Sequence, residues 1–252
     1  MSWWQASWVA SASLAVAASV AGATTAPPCR QALLLGLDAS LSVDPNEARL
    51  QRDGLAWALQ DGQVVDALVG SRQSYVMLAI FEWSGRFDQH VIVDWTRVDH
   101  AEALTSIAAT LSSAAQIQRT GRTALGEAML FASEMLYAQS HCALLTLDIS
   151  GDGPNNSGIP PEQAKNRMEG ANITINGLVI EQPQPTDDAA RFSLTAYYTN
   201  NVIRGAGAFT ETIIGFDDYA RAIKRKLLRE LAPVIAGTTP SAKKARTAML
   251  RQ

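Results

Sequence analysis

The chain has 252 residues, 47% of them hydrophobic and 18% charged, which is enough for one large globular domain with a substantial core. A formal net charge of −3 gives no global attraction to nucleic acid or to an anionic membrane. Two cysteines and three scattered histidines exclude a cysteine-rich or histidine-rich metal scaffold.

In chain order, residues 1–28 carry no charged side chain, and an Ala/Val/Ser stretch over 8–23 ends in the small-x-small triplet Ala21-Gly22-Ala23. This reads as a secretory signal peptide spanning 1–23, although the usual basic start is missing. The stretch is too rich in Ala and Ser to read as a membrane anchor. Cys29 after Ala-Pro-Pro does not resemble a lipoprotein acylation site. The protein is therefore expected to be secreted or periplasmic, with no stable membrane span once the leader is cleaved. A short segment, 24–30, then leads into the folded domain.

Residues 31–37 form an apolar run of strand length bounded by Asp38. Residues 47–68 carry apolar side chains at helical spacing, with Pro45 well placed at the start. Two β-rich runs, 74–83 and 87–95, flank Ser84-Gly85-Arg86 and read as a hairpin. Residues 99–114 read as a helix capped by Asp99. Residues 123–138 read as an amphipathic helix on Leu125, Met129, Ala132 and Leu136. A second apolar strand over 143–149 is followed by a short helix over 160–170, a third buried strand over 173–180 and a Pro-containing loop over 182–188. The pattern closes with a helix over 194–202, a strand over 208–214 and a last helix over 217–235. The tail, 237–252, is small and basic.

Apolar strands alternating with helices imply a doubly wound α/β domain over 31–236: a mostly parallel six-stranded sheet with helices on both faces. The expected strand order is 3-2-1-4-5-6, with the hairpin supplying one antiparallel edge strand. In that order the first and fourth strands are neighbours, and ligands bind beyond their carboxyl ends. Asp38 ends the first strand and Asp152 follows the fourth, so both flank the crevice. Ser40 and Ser42 alternate with Asp38 on the loop leaving strand one, and Thr123 opens a helix at the same rim. Taken singly, each is ordinary: Asp and Ser form turns, and Thr caps helices. Together they offer two carboxylates and three hydroxyls, and oxygen-only sets suit Mg²⁺, Mn²⁺ or Ca²⁺. Asp148, inside the fourth strand, is the competing carboxylate.

The segment "DASLS" at Asp38–Ser42, the isolated Thr123 and "GDG" at Gly151–Gly153 resemble the metal-ion-dependent adhesion site of the von Willebrand factor A-like family. Longer stretches, among them "LQRDGLAWAL", "GRTALGEAMLFA", "DISGDGPNN" and "YYTNNVIRGAGAF", resemble a bacterial branch of it, the domain-of-unknown-function family 1194. The resemblance implies that Asp38, Ser40, Ser42, Thr123 and Asp152 hold a divalent cation, usually magnesium. It further implies that a protein partner supplies an acidic residue as the last ligand. One departure is Leu41, where the wider family often has glycine, so this loop must turn without glycine's freedom.

The same strand order places Cys29, nine residues before Asp38, level with Cys142, ten before Asp152. Adjacent strands lie about 4.8 Å apart, within disulfide reach, so a Cys29–Cys142 bond is expected at the opposite end of the sheet. Two separate buried thiols are the alternative.

No G-x-S-x-G elbow, P-loop or G-x-G-x-x-G motif follows a strand, so no catalytic constellation stands out. Glu82 and the basic group over 224–229 read as solvated. The leading reading is an exported binding module. The alternatives are a hydrolase that uses the same cation to activate water, and a metal-free structural domain.

Overall fold

The structure, a computed structural model, describes residues 26–71, 73–115, 121–168, 170–182 and 193–232. The expected leader, the tail and most of the 182–188 loop lie outside them. The elements run β1 (Cys29–Asp38), α1 (Pro45–Leu59), α2 (Gly62–Val69), β2 (Tyr75–Trp83), β3 (Gln89–Val98), α3 (Ala101–Ser113), α4 (Leu125–Tyr137), β4 (Leu145–Gly151), α5 (Pro161–Arg167), β5 (Ile173–Glu181), α6 (Leu194–Tyr197), β6 (Thr210–Ile214) and α7 (Tyr219–Leu231). The strands form one sheet in the order β3-β2-β1-β4-β5-β6. Every pair is parallel except the β2–β3 hairpin. This is the doubly wound α/β architecture and strand order expected from the sequence.

Alternation along β1 splits the core in two. Leu33, Leu35 and Leu37 pack with Leu55, Leu104 and Ile223 of α1, α3 and α7. Ala32 and Leu34 face Leu125, Met129 and Tyr198 on the opposite side. Burial of the central strands on both faces explains their continuous apolar runs. The β1–β4 register pairs Gly36 with Ile149, so Asp38 and Gly151 end level with each other.

Several boundaries differ from expectation, each for a local reason. The single helix expected over 47–68 is two, because Asp61 turns extended and caps α2 by accepting from the Gln63 N–H at 3.0 Å. Asp61 also takes Lys224 Nζ at 2.8 Å, which ties the break to α7. Asp99 does not cap α3: Arg97 and His100 engage its carboxylate, each at 2.6 Å, and His100 occupies the cap position. Cys29 and Arg30, expected in a segment before the domain, already belong to β1. Thr123 precedes α4 by two residues and does not open it, since the cap position falls on Ala124. After four α-helical residues, α6 widens into a π-helical turn, Tyr198–Val202.

Two side chains expected in solvent are buried. Glu82, the last residue but one of β2, is buried under α1, where Arg52 Nη1 lies 3.2 Å away. Lys226, from the basic group over 224–229, is wholly buried between α7 and the sheet. Its ammonium lies 2.5 Å from Asp148 and 2.7 Å from Glu230. Asp148 therefore points at α7 and away from the rim. Burial, and then the neighbouring Glu230, push its carboxyl up to about 8.

A disulfide joins Cys29 and Cys142 at the end of the central strands remote from Asp38, with Cα atoms 4.6 Å apart. No described helix is long and apolar enough to cross a membrane.

Candidate metal centre

The carboxyl end of β1 delivers Asp38 onto the face covered by α4, and the chain then turns sharply into α1. The turn is made by the aspartate itself: Asp38 Oδ1 accepts from the Ser40 N–H at 2.7 Å, a short Asx turn. Gln51 of α1 reaches back and donates to the Asp38 carbonyl at 2.9 Å. Among the described residues no non-glycine residue has positive φ, so Leu41 needs none of glycine's freedom and instead projects into solvent.

All five residues expected at the rim meet there. The Ser40 and Ser42 hydroxyls are 3.1 Å apart, and Ser42 donates to Asp152 Oδ1 at 2.7 Å. The Thr123 hydroxyl donates to the Ser40 hydroxyl at 3.4 Å, and the Asp152 N–H points at Asp38 Oδ2 at 3.4 Å. Asp38, Ser40, Thr123 and Asp152 are buried, while Ser42 stands at the mouth.

Electrostatics make this cluster unusual. Among the described residues no cationic side chain pairs with either carboxylate, and Asp152 Oδ2 is buried with no hydrogen-bond partner. Burial pushes the Asp38 carboxyl up to about 7, and the nearby Asp152 adds to the rise. Asp152 is also raised, chiefly by burial. Two hard carboxylates held together without a counter-charge, beside three hydroxyls, fit a small divalent cation and not a thiophilic one.

Other residues that build the site carry no signature in the sequence. Asn156 accepts from the Thr123 N–H at 3.0 Å through its side-chain oxygen and donates to the Thr123 hydroxyl at 3.4 Å. Asn155 Oδ1 accepts from the Gly126 N–H at the start of α4 at 3.2 Å, and its own N–H donates to the Tyr197 hydroxyl at 3.3 Å. These asparagines clamp the loop carrying Asp152 to the loop carrying Thr123. Their adjacency in "GDGPNN" was the one available hint, and such runs more often mark plain turns. Gly121 and Gly85 pack backbone to backbone: a Cβ on Gly121 would lie 2.5 Å from the Gly85 nitrogen. Leu41 donates its N–H to the Gly121 carbonyl at 3.0 Å, so three loops close around the cluster. At its edge Phe87 is 92% exposed and Leu41 70%.

A second grouping, Cys29, His141 and Cys142, lies at the far end of the sheet. Its sulfurs are bonded to one another, which removes them as ligands.

A family model described as "Protein of unknown function (DUF1194)" matches residues 28–235. No curated protein matches the sequence significantly. Among solved structures, proximal thread matrix protein 1 from the mussel byssus superposes with TM-score 0.58 at 14% identity, over 82% of this chain and 47% of that one. Another structure of that protein has a zinc-occupied MIDAS motif and superposes with TM-score 0.56 at 14% identity. A von Willebrand factor type A protein from Catenulispora acidiphila gives 0.57 at 13% identity, covering 81% of this chain and 43% of that one. The pilus adhesin SpaC from Lactobacillus rhamnosus GG gives 0.55 at 15% identity, covering 81% and 30%. The chain thus spans less than half the length of these structures, and identities this low speak for the fold alone.

Proposed function

The chain belongs to the DUF1194 family, and from that premise we propose that it is an exported binding module that recognises a protein partner through a divalent cation held by Asp38, Ser40, Ser42, Thr123 and Asp152. Mg²⁺ is the expected ion, with Mn²⁺ or Ca²⁺ able to replace it. The observation that carries this reading is the pair of buried carboxylates that, among the described residues, has no cationic partner, with Asp152 Oδ2 lacking any hydrogen bond. A cation would supply the missing counter-charge. Two protein charges around it leave coordination positions open at the Ser42 mouth for water or for a carboxylate from the partner.

The surroundings support a protein partner. Leu41 and Phe87 stand exposed beside the mouth as apolar contacts, and Arg122, exposed next to Thr123, can meet acidic neighbours of the incoming carboxylate. Adhesins and a protein with a metal-occupied MIDAS motif share the fold, which agrees with this use of the rim. The disulfide fits an oxidising compartment such as the periplasm or the cell exterior. Residues 1–23 are the proposed leader and 237–252 a basic tail.

Calorimetric titration with Mg²⁺ and Mn²⁺ tests the cation. One site is expected in the wild type and none in Asp38→Ala; equal binding by the two would sink the proposal. Capture from the exported fraction in Mg²⁺, with chelator elution and Asp38→Ala as control, tests the partner.

A further inference from the structure

Beneath the carboxylates lies a side chain with no assigned role. Tyr198 begins the π-helical turn Tyr198–Val202, a rare widening of the helix that is common at functional sites. Its ring is wholly buried in the core, pressed over Gly177 of β5. Its hydroxyl is also buried and, among the described residues, has no hydrogen-bond partner. That oxygen is pressed against Gly151: a Cβ built there would lie 2.1 Å from the Tyr198 hydroxyl and 3.2 Å from Asp38 Oδ2. The phenol oxygen and the Asp38 carboxylate thus crowd the same point, and only a glycine at the end of β4 leaves room for both.

A buried hydroxyl without a partner is destabilising, and a phenylalanine would fill the same space without that cost. The tyrosine makes sense if its O–H is used in a state of the site other than the metal-free one. The neighbouring Tyr197 already addresses the site, through Asn155. The two successive tyrosines thus both reach the segment that leaves β4, Tyr197 at Asn155 and Tyr198 at Gly151 beside Asp38.

We propose that the Tyr198 hydroxyl is a positioning donor to the Asp38 carboxylate, fixing its orientation when the cation is bound. The inference rests on the cation reading above. Residues of this outer kind orient the ligands, and their loss typically costs about 10–100-fold in metal affinity.

The test compares the wild type with Tyr198→Phe in full-chain protein, using Mg²⁺ and Mn²⁺ as probes. Calorimetry should show affinity about tenfold or more weaker in the variant. In chelator, the variant should unfold at the same temperature or a higher one, because it has lost only an unpartnered hydroxyl. Mg²⁺, which absorbs no near-ultraviolet light, should perturb tyrosine absorbance more in the wild type than in the variant, which keeps only Tyr197 and Trp83 beside the site. Affinities equal within twofold would overturn the role of Tyr198 while leaving the cation site standing. A wild type that binds neither ion would overturn both.

Discussion

Lys226 lies 2.5 Å from Asp148, and neither side chain reaches solvent. Glu230, also buried, takes the same ammonium at 2.7 Å and accepts from Asn176 Nδ2 of β5 at 2.7 Å. The last helix is therefore held to the neighbouring strands β4 and β5 by a trio of ionisable groups as well as by apolar packing. Removing the cation should be far worse than removing one acid. Lys226→Met would leave two buried carboxyls around an apolar side chain and should cost about 3–5 kcal/mol in denaturant unfolding. Asp148→Asn resembles the protonated acid and should cost much less. Equal losses in the two variants would refute this division.

The trio also makes stability depend on pH in a direction opposite to that of an ordinary surface ion pair. Unfolded, Asp148 ionises near 3.8; folded, it keeps its proton up to about 8. Between those values the folded chain holds more protons, so stability should fall as pH rises and level off above about 8. Asp38 acts in the same direction in metal-free protein, up to about 7. Unfolding in chelator from pH 5 to 8 should therefore show a shallower decline in Asp148→Asn than in the wild type. Parallel curves would contradict the assignment.

The contrast between Asp38 and Lys226 shows what the sequence makes legible. Asp38 closes an apolar run, a local event, and the alternation of strands and helices independently selects the rim where it sits. The sheet order, the meeting of five oxygen-bearing side chains at the rim and the cysteine pairing all follow from such local patterns plus topology. Lys226 needed a different reading. It falls in the buried stripe of α7 with Tyr219, Ala222, Ile223 and Leu227, so its position announces burial. Its charge is accommodated there because Asp148 of β4 and Glu230 one turn further along α7 both meet the ammonium. Each residue alone looks anomalous or solvated, and only the pair explains both. Asn156 and Tyr198 were less accessible still, because a turn asparagine and a helical tyrosine carry no mark of the distant loop they touch.

Mg²⁺ binding should itself depend on pH. A cation needs Asp38 ionised, and burial beside Asp152 pushes that carboxyl up to about 7. Affinity should weaken as pH drops below about 7, approaching tenfold per unit, and binding at pH 6 should release protons. Calorimetry in two buffers of different ionisation enthalpy measures that release. Identical apparent enthalpies in both buffers would mean that Asp38 is already ionised in the free protein.

Asn156 offers a test of the loop clamp that leaves the five proposed ligands untouched. Asn156→Ala would strip the Thr123 N–H of its acceptor and its hydroxyl of a donor. The buried N–H left unpaired should cost about 1–3 kcal/mol of stability. Mg²⁺ affinity should fall about tenfold, as expected for a residue that orients a ligand. Asn156→Asp keeps the acceptor but adds a negative charge. It should recover much of the stability, and unchanged stability in Asn156→Ala would show that the clamp does not hold Thr123.

The disulfide should matter for stability and not for the cation. Cys29 and Asp38 stand at opposite ends of β1, about 30 Å apart along an extended strand of this length. The bond closes a loop across 113 positions of sequence, so its loss frees a long stretch of the unfolded chain. The double change Cys29→Ser, Cys142→Ser should therefore cost about 2–5 kcal/mol against unfolding. The β1–β4 register is also held by main-chain pairing from Ala32 to Gly36, which continues to set Asp38 level with Gly151. Mg²⁺ affinity at a temperature where the variant remains folded should accordingly match the wild type within about twofold, a difference of under 0.5 kcal/mol. A larger loss of affinity in folded variant would mean that the two ends of the central strands are coupled, and that the bond helps to shape the rim as well as to stabilise the fold.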